Sequence, residues 1–484
     1  LATAAALFSE ALKLHQQGQL IAAAARYEQA LALEPTMVGA LNNLGACRRA
    51  LGRSAEAVAP LQQATALHPD FGPAHLGLAQ ALSDVGRLAE AADAFERAVI
   101  LVPTMPDAWS AYAVVLTQLG RLEAARSACQ RALVLRPDYA EALSNLGNVE
   151  KELGQFEQAM GTQGCALALK PESPEIAWNF ALAALTAGDY TAGWRHFARR
   201  LDCPGALPRS YPKPRWDGRR PLHGKSIFLY PELGFGDTIN FVQFVPQLKQ
   251  RGALKVIVEC QTPLVRLLRR MTGIDLVIPA GGVPPSFDFH LPLIDLLPAL
   301  DIQPDQVLRL DNYLMPPAAV SAPLAQAFAT VPIGKRKIGL VWAGDASRSF
   351  DQRRSLAAAD LLALSDSSEH AFFALQKDKR PGDESTLAQY PQVIDLAPLF
   401  GDFDDAAWAV AQLDLVISVD TALAHLAGAL GKPVWDLLRF GGDWRYPVNV
   451  DYSPWYASMR LFRQKSRHDW RSTLDAVATA LQQL

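Results

Sequence analysis

Small and apolar residues recur at helical spacing through the first 200 positions, and the recurrence has a second, longer period. Ala57, Leu61 and Ala64 line one helix, Leu44-Gly45 lies in the helix before it, and Pro69 closes the unit. The same arrangement returns as Leu146-Gly147, Ala159 and Pro171. Gly18, Gly52, Gly86, Gly120, Gly154 and Gly188 step by 34 residues, and so do Pro35, Pro69, Pro103, Pro137 and Pro171. Glycine relieves strain where a chain reverses, and proline cannot continue a helix. The pattern predicts helix pairs in frames 4–37, 38–71, 72–105, 106–139 and 140–173, with a sixth from 174 to near 200. Small residues at the crossings let paired helices approach closely.

The pattern breaks at 202–224, where Pro204, Pro208, Pro212, Pro214 and Pro221 mark a connection with Trp216 as its expected anchor. Tyr190, Trp194 and Phe197 read as the inner face of the last solenoid helix. From Lys225 the period changes to strand–helix alternation, which predicts parallel α/β units. The first has strands at Ser226–Tyr230, Lys255–Cys260, Asp275–Ile278 and Phe287–Leu291, with helices at Thr238–Arg251 and Pro263–Met271. The second has strands at Lys337–Trp342, Ala371–Gln376, Val393–Asp395, Asp414–Val419, Val434–Leu438 and Arg460–Arg463. Its helices fall at Ala357–Leu364, Asp404–Gln412, Thr421–Leu430 and Trp470–Leu481. The domain reading is therefore a solenoid over 1–200, a proline-rich linker over 201–224, and α/β halves over 225–330 and 331–484.

Three stretches carry candidate chemistry. Gly234-Phe235-Gly236-Asp237-Thr238 joins a strand to a helix, where glycines admit a ligand to the backbone and Asp237 could equally cap the helix. Asp420-Thr421-Ala422 with His425 ends one strand and opens a helix, so free N–H groups and the Thr421 hydroxyl would converge on an anion such as phosphate. His425 shares the Thr421 helix face, or is a satisfied core histidine. Trp342-Ala343-Gly344-Asp345, Arg353, Arg354 and Gln376-Lys377 place cations at strand ends facing the expected cleft. In the solenoid, Asn42, Asn43, Asn145 and Asn148 fall on first helices, where amides could bond a peptide backbone.

The 34-residue frames closely resemble the tetratricopeptide repeat family, which usually binds protein. Gly236-Asp237-Thr238 followed by the apolar Phe241–Leu248, and Asp420-Thr421-Ala422 followed by His425-Leu426-Ala427, resemble the two signatures of lipopolysaccharide heptosyltransferases. The layout is similar to bacterial fusions of such repeats with a glycosyltransferase, including flagellin-modifying enzymes, and to the protein O-GlcNAc transferases. The resemblance implies an α-solenoid followed by a GT-B-like pair of Rossmann-like domains, with a sugar moved from a nucleotide-activated donor to a Ser/Thr hydroxyl of a bound protein. It implies Asp237 as general base, with inversion at the anomeric carbon, and Asp420, Thr421 and His425 as donor-phosphate ligands; on the residue reading Lys377 or Arg354 would offset leaving-group charge. Ala422 departs from the family's glycine, and the heptosyltransferases lack the repeats, which favours a protein acceptor over a glycolipid. A non-catalytic binding scaffold, or a transferase acting on glycans or lipids, remains an alternative.

Composition narrows this reading only a little. Half of the 484 residues are hydrophobic, and a net charge of −3 gives no general affinity for nucleic acid or anionic membrane. No apolar run approaches the roughly 20 residues that span a bilayer. Cys47, Cys129, Cys165, Cys203 and Cys260 are scattered and odd in number, which predicts buried free thiols in a reducing cytoplasm and no metal site. No Asp-x-Asp motif or histidine cluster stands at a strand end, so the expected chemistry needs neither metal nor cofactor beyond the sugar nucleotide. Asp404-Asp405 reads as a helix-capping pair. The chain opens on Leu1 rather than methionine, which leaves room for a preceding segment.

Overall fold

The computed structural model describes residues 3–303, 312–346, 351–366, 369–441, 443–448 and 450–484. The chain forms two compact units, Leu1–Ala183 and Ala184–Leu484.

The first unit is a run of antiparallel helix pairs: Ala4–Gln16 with Leu20–Leu33, Val38–Ala50 with Ser54–Leu67, Gly72–Asp84 with Leu88–Leu101, Pro106–Gln118 with Leu122–Leu135, and Ala140–Glu152 with Phe156–Leu169. Each first helix ends the same way. Gly86 adopts φ +78°, its N–H donates to the Ser83 carbonyl at 3.0 Å, and the Arg87 N–H reaches back to Leu82 at 2.9 Å. These two bonds satisfy carbonyls that the helix end leaves open, and only glycine takes that φ without strain. The crossings explain the small residues. A methyl group on Gly45 would lie 2.5 Å from the Leu61 side chain, and one on Gly147 would lie 2.7 Å from Gln163.

The second unit contains two all-parallel sheets. The first comprises β1 (Ser226–Tyr230), β2 (Lys255–Cys260), β3 (Leu276–Pro279) and β4 (Phe289–Pro292), in the order β3-β2-β1-β4. The second comprises β5 (Arg336–Val341), β6 (His370–Ala374), β7 (Val393–Asp395), β8 (Leu415–Val419), β9 (Val434–Leu438) and β10 (Met459–Arg463), in the order β10-β9-β8-β5-β6-β7. Counted from its own first strand, the second sheet runs 3-2-1-4-5-6, the order of a doubly wound sheet, and the first runs 3-2-1-4. The order in which strands are added therefore reverses between β1 and β4, and between β5 and β8, while the strands stay parallel. In sheets of this order ligands bind beyond the carboxyl ends of those pairs. β8 and β9 are buried throughout, as expected of strands covered on both faces.

Several boundaries differ from the sequence reading. The helix expected at Thr238–Arg251 starts earlier, at Phe235, and is broken by a 3-10 turn at Val242–Phe244 before Val245–Gln250. The expected solenoid extends to residue 200, whereas helix Tyr190–Phe197 belongs to the second unit. The reason is aromatic: Trp194 donates its indole N–H to the Ile302 carbonyl at 2.8 Å and packs edge-on against Trp444. Trp216 anchors the linker as expected, with its backbone N–H on the His290 carbonyl of β4 and its indole N–H on Arg220. Not every thiol is buried: Cys47, Cys129 and Cys260 are, but Cys203 is half-buried and Cys165 is exposed.

Candidate functional site

The loop after β1 and the loop after β8 meet. Helix Phe235–Phe241 packs against helix Ala422–Ala429 at their N-terminal ends. Gly236 permits this approach, because a Cβ there would lie 2.7 Å from His425 Cδ2 and 3.4 Å from Ala422 Cα. The glycine of the Gly-Asp-Thr stretch is thus required by helix–helix contact, at a backbone conformation any residue could adopt. Asp237 uses both carboxylate oxygens. One accepts from the Gly234 N–H at 3.1 Å, which closes the first turn of its helix. The other is paired with the Arg445 guanidinium. Both side chains are mostly buried, at 19% and 14% exposure. Thr238 is buried, and its hydroxyl bridges to Gln261 Oε1 at 2.9 Å, so it holds the loop together from inside.

His425 is 4% exposed and fully partnered. Its Nδ1 faces the Tyr456 hydroxyl at 3.1 Å and the Asn240 amide at 3.4 Å. Both can donate, which assigns the ring proton to Nε2, and Nε2 lies 3.6 Å from the Asp420 carboxylate. Burial pushes the Asp420 carboxyl up, but the interaction with His425, with Arg445 and Arg354 behind it, overrules burial and holds Asp420 well below the usual carboxylate range. The neighbouring Asp436 on β9 goes the other way. It is fully buried, and burial together with the Asp420 charge raises it well above the ordinary value, against a weaker downward pull from Tyr446 and Arg463. Burial likewise raises Tyr446 and Tyr456, so both hydroxyls stay protonated donors.

Arg354 reaches the same place from the second sheet. It donates to the Asp420 carbonyl at 2.9 Å and is oriented by buried Asp351, which also pairs with Arg380. Gln376 clamps the loop after β5, accepting from the Trp342 and Ala343 N–H groups at 3.2 and 3.0 Å. Two expectations are corrected here. The Thr421 hydroxyl is paired with Ser418 Oγ at 2.9 Å and makes no cap bond to the helix that follows. Lys377 sits at the end of β6 with its ammonium on the Ala397 and Phe400 carbonyls at 3.3 and 2.5 Å, which directs it to that turn. Asp404 is not a capping residue either. Asp402 caps the helix, Asp405 accepts from the Gly401 N–H, and buried Asp404 pairs with Arg266 and Arg270.

Residues 76–140 match the family described as Tetratricopeptide repeat, and residues 1–102 match one described as Bacterial transcriptional activator domain. The first unit is a tetratricopeptide repeat solenoid. The chain is 27% identical over 337 residues to Protein FlbA of Caulobacter vibrioides, a match covering 62% of this chain and 54% of that protein. The chain thus spans about half the length of that curated relative. Among solved structures, PilW, a type IV pilus biogenesis factor, matches at 18% identity and TM-score 0.38, covering 41% of this chain and 92% of that one. A thermophilic tetratricopeptide protein of Thermus thermophilus matches at 22% identity and TM-score 0.31, covering 38% of this chain and all of that one.

Within the tetratricopeptide solenoid the four expected asparagines are half-buried and engaged with neighbours. Asn42 donates to Asn43 at 3.1 Å, Asn145 donates to Ser110 of the preceding repeat at 3.0 Å, and Asn148 accepts from buried Gln163 at 3.2 Å. Asn179 repeats the Asn145 bond one unit later, to Ser144. Asn145 and Asn179 thus stitch successive repeats together, whereas the Asn42–Asn43 and Asn148–Gln163 bonds stay within one repeat.

The sequence reading missed Arg445, Tyr456, Asn240 and Asp436. Asp436 leaves a trace, as a lone carboxylate in the apolar run Val434–Leu438. Arg445 sits in Asp443-Trp444-Arg445-Tyr446, a charged and aromatic run unusual for a bare loop. Among the described residues, no group of three or more His, Cys, Asp or Glu could hold a metal ion, and no helix is long and apolar enough to cross a membrane.

Proposed function

We propose that the second unit is a glycosyltransferase of the GT-B kind. It would move a sugar from a nucleotide-activated donor to a Ser or Thr hydroxyl of a protein held by the tetratricopeptide solenoid. One observation carries this reading: the Gly236-Asp237 turn after β1 packs on His425 and Ala422 of the segment after β8, at the point where strand order reverses in each parallel sheet. The donor phosphate lies against the N-terminus of helix Ala422–Ala429, whose start carries no side-chain cap. Arg354, fixed on the Asp420 carbonyl, adds positive charge. Asp237 accepts the proton of the acceptor hydroxyl, the hydroxyl oxygen bonds to the anomeric carbon, and the bond from that carbon to the phosphate oxygen breaks, so the nucleotide leaves with the electron pair. A single displacement of this type inverts the anomeric centre. A fixed cation or dipole at the leaving group contributes roughly 3 kcal/mol of barrier lowering, and a general base about 10²–10⁴ in rate. The protein works in the cytoplasm in this reading.

A binding scaffold is favoured by one specific observation, that both Asp237 oxygens are already engaged. Labelled sugar nucleotides incubated with the full chain and candidate acceptor proteins separate the readings. A transferase places label on protein, and Asp237→Asn abolishes this while nucleotide still binds. Label on glycan or lipid would redirect the acceptor, and no label on anything would leave the scaffold.

A further inference from the structure

Arg445 lies in the irregular loop after β9, yet its backbone is held on both sides. The Tyr190 hydroxyl donates to the Trp444 carbonyl at 2.6 Å, and the Trp455 indole N–H donates to the Arg445 carbonyl at 2.5 Å. The Trp444 ring is boxed in. Trp194 meets it edge-on with centroids 5.7 Å apart, Phe197 at 6.0 Å, and Phe241 stacks on it at 6.3 Å. The Arg445 guanidinium lies 4.8 Å from the Trp444 centroid, within cation–π range, and extends to Asp443 and Asp237. Tyr190 and Trp444 are only 5% and 8% exposed. Tyr190, Trp194 and Phe197 all come from helix Tyr190–Phe197, which follows helix Pro174–Ala187.

A free arginine side chain carries substantial rotamer entropy. Holding its backbone and one face of its stem removes much of that freedom before the ion pair forms. We infer that Tyr190 and Trp444 are positioning residues that set the Arg445 guanidinium on the Asp237 carboxylate. The helix after the repeats thereby controls the group assigned as general base. The catalytic meaning rests on the transferase reading, but the positioning does not.

A double-mutant cycle on the full chain tests it, with Tyr190→Phe and Asp237→Asn unfolded in urea and followed by tryptophan fluorescence. Eight of the ten tryptophans lie in Ala184–Leu484, so the signal reports mainly on that unit. Tyr190 and Asp237 coupled by at least about threefold in the unfolding equilibrium constant is the expected result, and independent effects would overturn the inference. Tyr27→Phe, in the first unit, is the uncoupled control. In the transfer assay Tyr190→Phe lowers kcat while the donor KM stays put, and an unchanged kcat would also overturn the inference. If the unmodified chain transfers no sugar, the transferase reading fails while the cycle still decides the positioning.

Discussion

Arg445 and Asp237 are 208 positions apart in sequence and form an ion pair that ties the loop after β9 to the helix after β1. Removing one partner of a mostly buried pair leaves the other charge desolvated. Arg445→Met is expected to destabilise the second unit by about 3 kcal/mol. Asp237→Asn combined with Arg445→Met should cost less than the sum of the two single changes. Urea unfolding followed by tryptophan fluorescence reads both.

Gly236→Ala tests the contact between the two helices. The added methyl meets His425 Cδ2 at 2.7 Å, and the backbone of Ala422 behind it cannot yield easily. The expected loss is about 1–3 kcal/mol. His425→Ala in the same chain should recover part of it, because the ring is the nearest obstacle. Equal losses with and without His425 would place the obstruction elsewhere.

Asp436 makes stability depend on pH in a defined direction. Its folded-state carboxyl is raised, so the folded chain holds a proton that the unfolded chain releases at the ordinary value of about 4. Its contribution is fully present below that value and is lost as pH rises through the raised one. Asp420 is lowered and acts oppositely, its contribution being lost on acidification. Asp436→Asn should flatten the decline on the alkaline side and leave the acid side unchanged, as measured by denaturant midpoints across pH.

Two glycines in the solenoid should respond with opposite signs. Gly86 sits at φ +78°, where alanine is strained, and Gly86→Ala should cost about 1–2 kcal/mol. Gly161 lies inside helix Phe156–Leu169 with open space around its Cβ position. Gly161→Ala should therefore stabilise by about 1 kcal/mol. Circular dichroism melts of the two variants read both.

The fold was legible where one physical requirement repeats. The turn glycines announce themselves because each helix end needs the same positive φ, and ten short apolar runs between turns mark strands in the places they occupy. The site was legible only where chain neighbours act together. Gly236, Asp237, Asp420 and His425 stand in short runs, and the structure joins them. Arg445, Tyr456 and Asn240 reach the site from separate loops and helices, and their roles come from packing across long sequence separations. Lys377 illustrates the converse. A cation at a strand end faces the crevice in sequence logic, but the nearby carbonyls of Ala397 and Phe400 capture it. Asn145 was likewise visible as a polar position on a first helix, while its partner Ser110 one repeat away was not.

Binding of UDP, GDP, CMP and ADP to the full chain, read as thermal stabilisation, tests the central claim most directly. A ligand that binds only the folded state raises the melting temperature when present well above its dissociation constant. The account predicts a rise of several degrees with one of the four, reduced in Arg354→Ala. No shift with any nucleotide at millimolar concentration would contradict a donor site at the β8 end and return the protein to the scaffold reading.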